Sequence, residues 1–383
     1  MVLEPVYEPK FHAHSYGFRP FRSAHHALYR IHFLATLGKG PYEWVIEGDI
    51  HDCFGSVDPG ILLRLIRRTI DDRPLLKVMG LMLRAGALEE LQFLPSDRGT
   101  PQGSGVSPLW TNIYLTELDR FVESQYAALG RNAKRRAGKD GAAPPCEIVR
   151  YADDFVVMVR GTREQAMQLK AKIADFLSGE LHMELSPEKT LVTHIDDGFV
   201  FLGFQVRRTL HRQTNRRRLW ITPARKSVQH FQEQVRSILQ HLINHPNEVA
   251  LIRALSNFIR GWCQYYAIGR SWPTFGRLGM WLWRVVNNAL YRKHRGRRYR
   301  SWTQHARDYW IPFSRSARRL DRGRRGRGLG VWLDPKRTRA SLLVSPTHVR
   351  WRPIRPFGPY DPYEPEHHRI LLARRRPVSV PQG

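Results

Sequence analysis

The sequence predicts an α+β fold in which an antiparallel sheet is followed by a helical module. Short apolar, β-branched runs such as "EWVIEGDI" (43–50) and "EIVRYADDFVVMVRG" (147–161) have the length and composition of buried strands. Segments with one apolar side, typical of amphipathic helices, lie between and after them. The resulting order of strand, helix, helix, hairpin, helix and strands favours an α+β arrangement with mostly antiparallel pairing.

The individual elements follow one another without an internal repeat. Asp58 is the expected N-cap of a helix over 58–70, with proline at its first position. A polar, Gly- and Pro-rich excursion at 130–145 precedes the hairpin that contains Asp153. The other predicted elements are helices at 24–36, 74–86, 108–129 and 163–179, strands at 43–50, 189–196 and 199–208, and three helical stretches between 223 and about 295.

The charge is distributed unevenly along the chain. Its 383 residues carry a formal net charge of +28. Residues 1–206 contain 24 Lys and Arg against 26 Asp and Glu, whereas residues 207–327 contain 28 against 4. Self-repulsion on this scale favours a polyanionic partner, although a merely solvated basic face is the alternative. Arginines interleaved with Trp and Tyr, as in "IRGWCQYYAIGRSW", suit RNA or single strands, because guanidinium groups bind phosphates and aromatic rings stack on bases.

Composition argues against several classes of protein. With 42% hydrophobic and 25% charged residues, the chain is globular rather than disordered. No apolar run approaches the roughly 18 residues that a membrane span needs, and the first residues lack the apolar core of a signal peptide. Three cysteines without a C-x-x-C pair make disulfide frameworks and zinc ribbons unexpected. We therefore expect a protein of a reducing, bacterial cytoplasm, associated with nucleic acid and without a membrane partner.

Three aspartates are the candidate catalytic residues. Asp49 ends an apolar strand, and Asp153 and Asp154 lie at the tip of the hairpin. Aspartate is a poor strand former and is costly near a core unless it is paired or bound to a metal, although polar turns are the structural alternative. If the strand and the hairpin are neighbours, the carboxylates converge and favour a hard cation such as Mg²⁺. Two Mg²⁺ ions about 3.5–4 Å apart could clamp the attacking and leaving oxygens of a phosphoryl transfer.

Six segments in order resemble the blocks of a group II intron-encoded reverse transcriptase. They are "SYGFRPFRSAHHAL", "WVIEGDIHDCF", "RGTPQGSGVSPLWTNIYLTELD", "VRYADDFVV", "LSPEKT" and "FVFLGF". Further along, "FIRGWCQYY" resembles the maturase, or thumb, region of that family. The resemblance covers residues 1 to about 300, and the order and spacing of the blocks make it specific.

The resemblance implies a right-hand polymerase with a palm, partial fingers and a helical thumb. Residues 1–40 would be partial fingers, and residues 41–206 the palm with finger elements. Residues 207–300 would form the thumb or maturase domain. Residues 301–383 would be a basic C-terminal segment, partly disordered, that could bind DNA.

Roles in the site follow from the same resemblance. Asp49, Asp153 and Asp154 would be catalytic and, with the carbonyl of Ile50, would hold two Mg²⁺ ions. Phe54 would lie beneath the sugar and exclude a 2′-hydroxyl, with a core phenylalanine as the alternative.

Further residues match the substrate-binding positions of the family. Gln102, between Pro101 and Gly103, would contact the incoming nucleotide, or would be an ordinary turn glutamine. Lys189 would donate a proton to pyrophosphate, or would be a surface lysine. Arg22 and Arg19 could reach phosphates or template. Phe201–Phe204 would grip the primer end, or would simply form an apolar strand pair.

The implied partners are group II intron RNA, an RNA template with a DNA primer, deoxynucleotide triphosphates and target DNA. The family normally has fingertip blocks that bind the triphosphate, and they precede "LEPVYEPKFHAHSYGFRP". We therefore expect either a start further upstream or a truncated relative with reduced or absent polymerase activity. Gly55 is a smaller departure, since the family commonly has Asp there.

Three functions compete at this stage. The first is an RNA-directed DNA polymerase that also assists splicing of its intron. The second is an RNA-binding maturase remnant without polymerase activity. A two-metal nuclease is weaker, because "TPQG" and the thumb would then be unexplained, and no Cys-pair or His-Asn-His nuclease pattern occurs at the C-terminus.

Overall fold

The computed structural model describes residues 3–36, 42–84, 87–89, 92–94, 105–126, 144–211, 216–294, 301–313 and 327–350, together with Tyr363. These residues divide into two compact units. The first unit comprises the described parts of Met1–Leu202, Arg207–Leu219 and Ile354–Gly383, and the second those of Gly203–Val206 and Trp220–Pro353.

A four-stranded antiparallel sheet forms the centre of the first unit. Its members and the two short strands of a separate hairpin are β1 (Trp44–Gly48), β2 (Ala87–Glu89), β3 (Gln92–Leu94), β4 (Cys146–Tyr151), β5 (Asp154–Val159) and β6 (Leu191–His194). The sheet order is β4–β5–β1–β6, and β2 and β3 form a two-stranded sheet of their own among the described residues. Residues 155–159 of β5 are all buried, which explains why the sequence of this strand is a continuous apolar run.

Helices cover this sheet and complete the core of the first unit. They are α1 (Glu4–Tyr7), α2 (Ala24–Thr36), α3 (Pro59–Arg67), α4 (Arg73–Arg84), α5 (Ser107–Gln125) and α6 (Arg163–Glu180). Trp110, Tyr114, Leu118 and Val122 recur every fourth residue along α5 and are fully buried, so one side of this helix faces the core. The α5 helix packs against β4 and thereby lies behind the hairpin.

The start of α3 confirms the predicted capping. The side chain of Asp58 accepts hydrogen bonds from the backbone N–H groups of Gly60 (2.8 Å) and Ile61 (3.0 Å). Proline follows at the first helical position, where its missing N–H leaves no hydrogen bond unmade. The helix ends at Arg67 rather than at residue 70, because the last residues form a tighter turn.

The predicted strand pair after α6 is also present. β7 (Phe199–Phe201), β8 (Phe204–His211) and β9 (Arg216–Pro223) form a three-stranded sheet. Leu202 and Gly203 connect β7 to β8, and both have positive φ angles (50° and 76°). This is the backbone that a two-residue hairpin turn requires.

The second unit is helical, with a small sheet at its C-terminal side. Its elements are α7 (Arg225–Leu242), α8 (Glu248–Tyr266), α9 (Trp272–His294), α10 (Trp302–Tyr309), β10 (Trp310–Pro312), β11 (Arg327–Trp332) and β12 (Ala340–Leu342). The strands form an antiparallel sheet in the order β10–β11–β12. The three helices expected between 223 and about 295 are therefore found, and the α+β class with antiparallel pairing is confirmed.

The structure differs from the sequence prediction beyond residue 300. No regular element was predicted there, yet α10 and β10–β12 pack on the helices of the second unit. The amide oxygen of Asn287 on α9 accepts hydrogen bonds from His305 Nε2 (3.0 Å) and Trp310 Nε1 (3.1 Å). The ring of Trp302 stacks on Tyr291 with centroids 4.1 Å apart. These strands are three to six residues long, too short for a periodic signal in the sequence.

Candidate active site

The end of β1 places Asp49 beside the hairpin of β4 and β5. Gly48, the last residue of β1, pairs with Phe155 in the antiparallel ladder. If this register continues, Asp49, which directly follows β1, lies opposite Asp154. The carbonyl of Asp49 accepts a hydrogen bond from Ser186 N–H (2.8 Å). The neighbourhood of strand and hairpin that the sequence analysis assumed is therefore observed.

A sharp two-residue turn connects β4 to β5 in the hairpin. Tyr151 pairs with Asp154, which leaves Ala152 and Asp153 as the two turn residues. Ala152 has φ of 60°, a left-handed conformation that is uncommon for a residue with a Cβ. Asp153 thus lies at the tip of the turn, and Asp154 is the first residue of β5.

The three carboxylates lie within electrostatic reach of one another. Asp154 keeps accessible surface, yet surrounding protein atoms still desolvate its carboxyl group. This desolvation, together with the negative charges of Asp153 and Asp49, raises the pKa of Asp154 to about 6. Burial raises the pKa of the Cys53 thiol to about 12, and the charge of Asp153 adds to that shift. The acidic groups of two distant sequence segments therefore form one negative region.

Lys189 neutralises part of this charge. Its Nζ lies 3.1 Å from Oδ2 of Asp49, and it opposes the rise in the pKa of Asp154. The side chain of Lys189 is 70% exposed and that of Asp49 is 30% exposed. Exposed ion pairs of this kind contribute little to stability, so the contact leaves Lys189 able to move.

The donor atoms of this region suit a hard divalent cation. Carboxylate and peptide carbonyl oxygens are the ligands that Mg²⁺ prefers, and crowding of negative charge is what such a cation relieves. The carbonyl of Asp49 accepts from Ser186 N–H, and Ile50 forms an isolated antiparallel bridge with Leu185, so the ligand role of the Ile50 carbonyl stays a prediction. Within the described ranges, however, no three His, Cys, Asp or Glu side chains are grouped to hold a metal ion. The two-ion site stays a prediction.

Phe54 and Gly55 lie in the turns that follow β1. Phe54 is half-buried rather than part of the core. A Cβ on Gly55 would lie 2.1 Å from Oδ2 of Asp52, whose carboxylate also accepts a hydrogen bond from Gly55 N–H (3.3 Å). These contacts involve only the end of an exposed aspartate side chain, so they do not by themselves require glycine at position 55. Gln102, with its neighbours Pro101 and Gly103, lies outside the described residues.

Arg22 and Arg19 are buried, a position that favours a structural role. The side chain of Arg22 is 7% exposed, and its Nη1 donates to the carbonyl of Ala13 (2.6 Å). Arg19 forms a bidentate ion pair with Glu8, and both side chains are buried. Desolvation by burial lowers the pKa of Arg22 to about 10. Neither guanidinium presents the open surface that a contact with template phosphates needs.

The predicted primer-gripping segment forms a tight turn. Phe201 and Phe204 are buried, and the ring of Phe204 contacts that of Tyr266 with centroids 4.8 Å apart. A Cβ on Gly203 would lie 2.6 Å from the Tyr266 hydroxyl. The apolar strand pair that was the alternative is thus present, and a contact with primer stays a prediction.

Sequence reasoning missed a polar network beneath the hairpin. Arg150 of β4 and Asp119 of α5 are both 0% exposed and form a bidentate ion pair. Asn112, nearer the N-terminus of α5 than Asp119, accepts a hydrogen bond from the same guanidinium. The available signal was the presence of an arginine and an aspartate at apolar positions of a strand and a helix.

Comparisons with known proteins relate both parts of the chain to described families. The family model "Reverse transcriptase (RNA-dependent DNA polymerase)" matches residues 1–206, and "Group II intron, maturase-specific domain" matches residues 228–310. Protein YkfC of Escherichia coli is 34% identical over 243 residues, which are 59% of this chain and 64% of that protein. The group II intron-encoded protein LtrA of Lactococcus lactis is 34% identical over 251 residues, covering 54% of this chain and 41% of LtrA.

The chain thus spans less than two thirds of the length of these two relatives. Among solved structures, apo telomerase from Candida tropicalis matches with a TM-score of 0.40 at 12% identity, covering 76% of this chain and 53% of that one. Among the described residues, every helix falls short of the length or the apolar character that crossing a membrane requires.

Proposed function

Since the chain belongs to the reverse transcriptase family and carries a group II intron maturase-specific domain, we propose that it is an RNA-directed DNA polymerase of the group II intron type that also binds intron RNA and assists its splicing. The observation that carries the polymerase role is the position of Asp49, directly after β1, beside Asp154 and the Ala152–Asp153 turn. A primer hydroxyl, a deoxynucleotide triphosphate and an RNA template would be the reactants.

The carboxylates would act as the holders of the catalytic cations. Asp49 directly follows β1, Asp154 begins the neighbouring strand β5, and Asp153 lies in the turn between β4 and β5. Bound Mg²⁺ would supply charge neutralisation on the reacting phosphates and a more acidic attacking hydroxyl. Cation binding would also remove the repulsion that raises the pKa of Asp154.

Lys189 would change partner during the reaction. In the structure it pairs with Asp49. Asp49 would serve as a cation ligand during the reaction, and the Lys189 ammonium group, no longer paired with it, would donate a proton to the departing pyrophosphate. Phe54 would select the sugar and Gln102 would contact the nucleotide, as the family resemblance implies.

Binding of RNA would be the task of the basic part of the chain. Residues 207–327 hold 28 Lys and Arg against 4 Asp and Glu, and this range contains the match to the maturase-specific domain. In the second unit, Arg270 lies over the ring of Trp220 at 4.1 Å and Arg236 over Trp281 at 5.5 Å, combinations that suit phosphate contacts with base stacking. Group II intron RNA is the proposed ligand, and a reducing cytoplasm the proposed location.

Primer extension on an RNA template with Mg²⁺ tests the polymerase role. Wild-type protein should extend the primer, and Asp153→Ala should lose the activity almost completely. Asp175→Ala is a matched control, because Asp175 is an exposed aspartate on α6 and is not among the charges that shift the pKa of Asp154. Equal extension by wild type and Asp153→Ala, or a loss in Asp175→Ala as large as in Asp153→Ala, would contradict the assignment.

A maturase that binds RNA without making DNA is the second candidate. It is favoured by the separate match of residues 228–310 and by the concentration of charge there. It predicts intron RNA binding that weakens steeply with salt and survives Asp49→Ala, with no primer extension by wild type. Loss of RNA binding in a folded Asp49→Ala variant would contradict it.

A further inference from the structure

A buried polar network connects the hairpin turn to α5 and to the N-terminal segment. Nε and Nη2 of Arg150 donate to Oδ1 (2.8 Å) and Oδ2 (2.7 Å) of Asp119. Nη1 of Arg150 donates to Asn112 Oδ1 (2.9 Å) and also to the backbone carbonyl of Ala152 (2.9 Å). The guanidinium therefore holds the residue that directly precedes Asp153.

Ala152 needs such a contact because its backbone is strained. The left-handed backbone conformation is less favourable for alanine than for glycine. Ala152 keeps this conformation only because the surrounding structure fixes it. The hydrogen bond from Arg150 to its carbonyl fixes one side of the peptide. On the other side, the chain at Gly17 approaches so closely that a Cβ there would lie 2.2 Å from the Ala152 nitrogen.

Asn112 links these two supports to each other. Its Nδ2 donates to the carbonyl of Gly17 (2.9 Å), while its Oδ1 accepts from Arg150. The backbone of Arg150 is also tied to the N-terminal segment, since its N–H donates to His14 (3.0 Å) and its carbonyl accepts from Tyr16 N–H (2.8 Å). The turn is thus held from both sides by one continuous set of hydrogen bonds.

Stability alone is a weak reason for this network. Arg150 and Asp119 are both fully buried, and burying two charges costs about as much free energy as their attraction returns. Apolar residues of similar volume could fill the same space at little or no cost in stability. They could not bind the carbonyl of Ala152, and this contact gives the network a role in geometry.

We propose that Arg150, Asp119 and Asn112 are positioning residues that fix the Ala152–Asp153 turn, and through it the carboxylates of Asp153 and Asp154, in the orientation needed for nucleotidyl transfer. This role rests on the proposed polymerase function. None of the three touches substrate in the proposal, because all are buried. They act through the backbone of the turn.

Arg150→Lys is the primary variant, because lysine keeps the charge but cannot form the fork of hydrogen bonds. Misplacement of a reacting group by about 1 Å can cost about a hundredfold in rate, so kcat for primer extension should fall by about that factor. The Kd for template–primer should stay unchanged. Amide hydrogen exchange of the peptide containing Ala152 to Phe155 should become faster, and this readout does not depend on activity.

Arg208→Lys is the matched control. Arg208 is also a buried arginine of the first unit, and it donates to Asp196 (2.6 Å) and Glu43 (2.8 Å) at the opposite end of β1. This variant should lose comparable stability without faster exchange in the turn and without a fall in kcat. Asn112→Ala, which keeps the ion pair but breaks the link to Gly17, replaces Arg150→Lys if the latter does not fold.

Unchanged exchange at the turn in a folded Arg150→Lys or Asn112→Ala variant would overturn the proposal. Equally fast exchange at the turn in Arg208→Lys would also overturn it, since the effect would then be general destabilisation. If wild-type protein makes no DNA, the polymerase role fails, while the exchange comparison still decides whether the network fixes the turn.

Discussion

Replacing Gly17 with alanine tests the close packing beneath the Ala152–Asp153 turn. A Cβ at position 17 would lie 2.2 Å from the nitrogen of Ala152, 2.8 Å from the carbonyl carbon of Tyr151 and 2.9 Å from Cα of Ala152. Real Cβ atoms essentially never come closer than 3.0 Å to such neighbours, so the two segments must separate by about 0.8 Å. All three atoms belong to the backbone, and no side-chain rotation can relieve the clash.

The expected effect is larger on activity than on stability. Overpacking of this kind costs about 1–3 kcal/mol of unfolding free energy, which urea denaturation measures. A displacement of the turn by nearly 1 Å should lower kcat for primer extension by about a hundredfold. The Kd for RNA should not change, because the proposed RNA-binding region is elsewhere in the chain.

Gly179→Ala is the control for the effect of adding a methyl group. Gly179 lies in α6 with no atom within 4 Å of the position of a Cβ. Alanine should leave stability unchanged or raise it by up to about 1 kcal/mol, with full activity. If Gly17→Ala instead matched wild type in stability and in kcat, the turn would not depend on this contact and the reasoning would be refuted.

Three further outcomes are expected. Gly203→Ala should lower the unfolding free energy by about 1–2 kcal/mol, because φ of Gly203 is 76° and the Tyr266 hydroxyl would lie 2.6 Å from the new Cβ. Adding Tyr266→Phe should restore part of this stability. Asp58→Ala should cost about 1 kcal/mol at pH 7 through loss of the helix cap. Burial raises the pKa of Asp58, but hydrogen bonds from the Ile61 backbone and the His182 side chain outweigh this effect, so the pKa is lower in the folded than in the unfolded state. The difference in unfolding free energy between Asp58→Ala and wild type should therefore be lost as the pH falls from about 4 through the folded pKa. Asn287→Ala should lower the unfolding free energy by about 1–3 kcal/mol, since the buried ring N–H of His305 and the partly buried ring N–H of Trp310 lose their acceptor.

Each of these outcomes has a result that would count against it. Equal melting of Gly203→Ala and wild type would show that the turn tolerates a Cβ. A pH-independent effect of Asp58→Ala would show that the carboxylate is not the source of the stabilisation. An unchanged Asn287→Ala would mean that residues beyond 300 do not depend on α9 for their docking.

The hairpin turn at Ala152 and Asp153 was predictable because its flanks are apolar. Continuous β-branched runs on both sides of Asp153 and Asp154 fix a buried hairpin, and the apolar strand before Asp49 needs a place in the same sheet. Asp58 was predictable for a local reason, since a cap depends only on its own helix. The blocks of the family resemblance added the roles of these residues, which periodicity alone does not give.

Other features depend on contacts between residues far apart in the sequence. Arg19 and Arg22 look like phosphate ligands until Glu8, Ala13 and Ser15 are seen to occupy them. Arg150 lies 31 residues from Asp119, and nothing in the spacing announces that they pair. A local sequence pattern cannot tell whether an arginine meets a partner inside the protein or outside it. The same limit applies to β10–β12, which are held by neighbours rather than by their own propensity.

The most direct test of the account is a crystal structure with template–primer, a non-extendable deoxynucleotide and Mn²⁺, read by anomalous scattering. The account predicts anomalous peaks about 2.0–2.2 Å from carboxylate oxygens of Asp49 and Asp154, with Lys189 displaced from Asp49. A substrate-bound structure in which Lys189 still pairs with Asp49, and in which no anomalous peak lies between Asp49 and the hairpin, would contradict it.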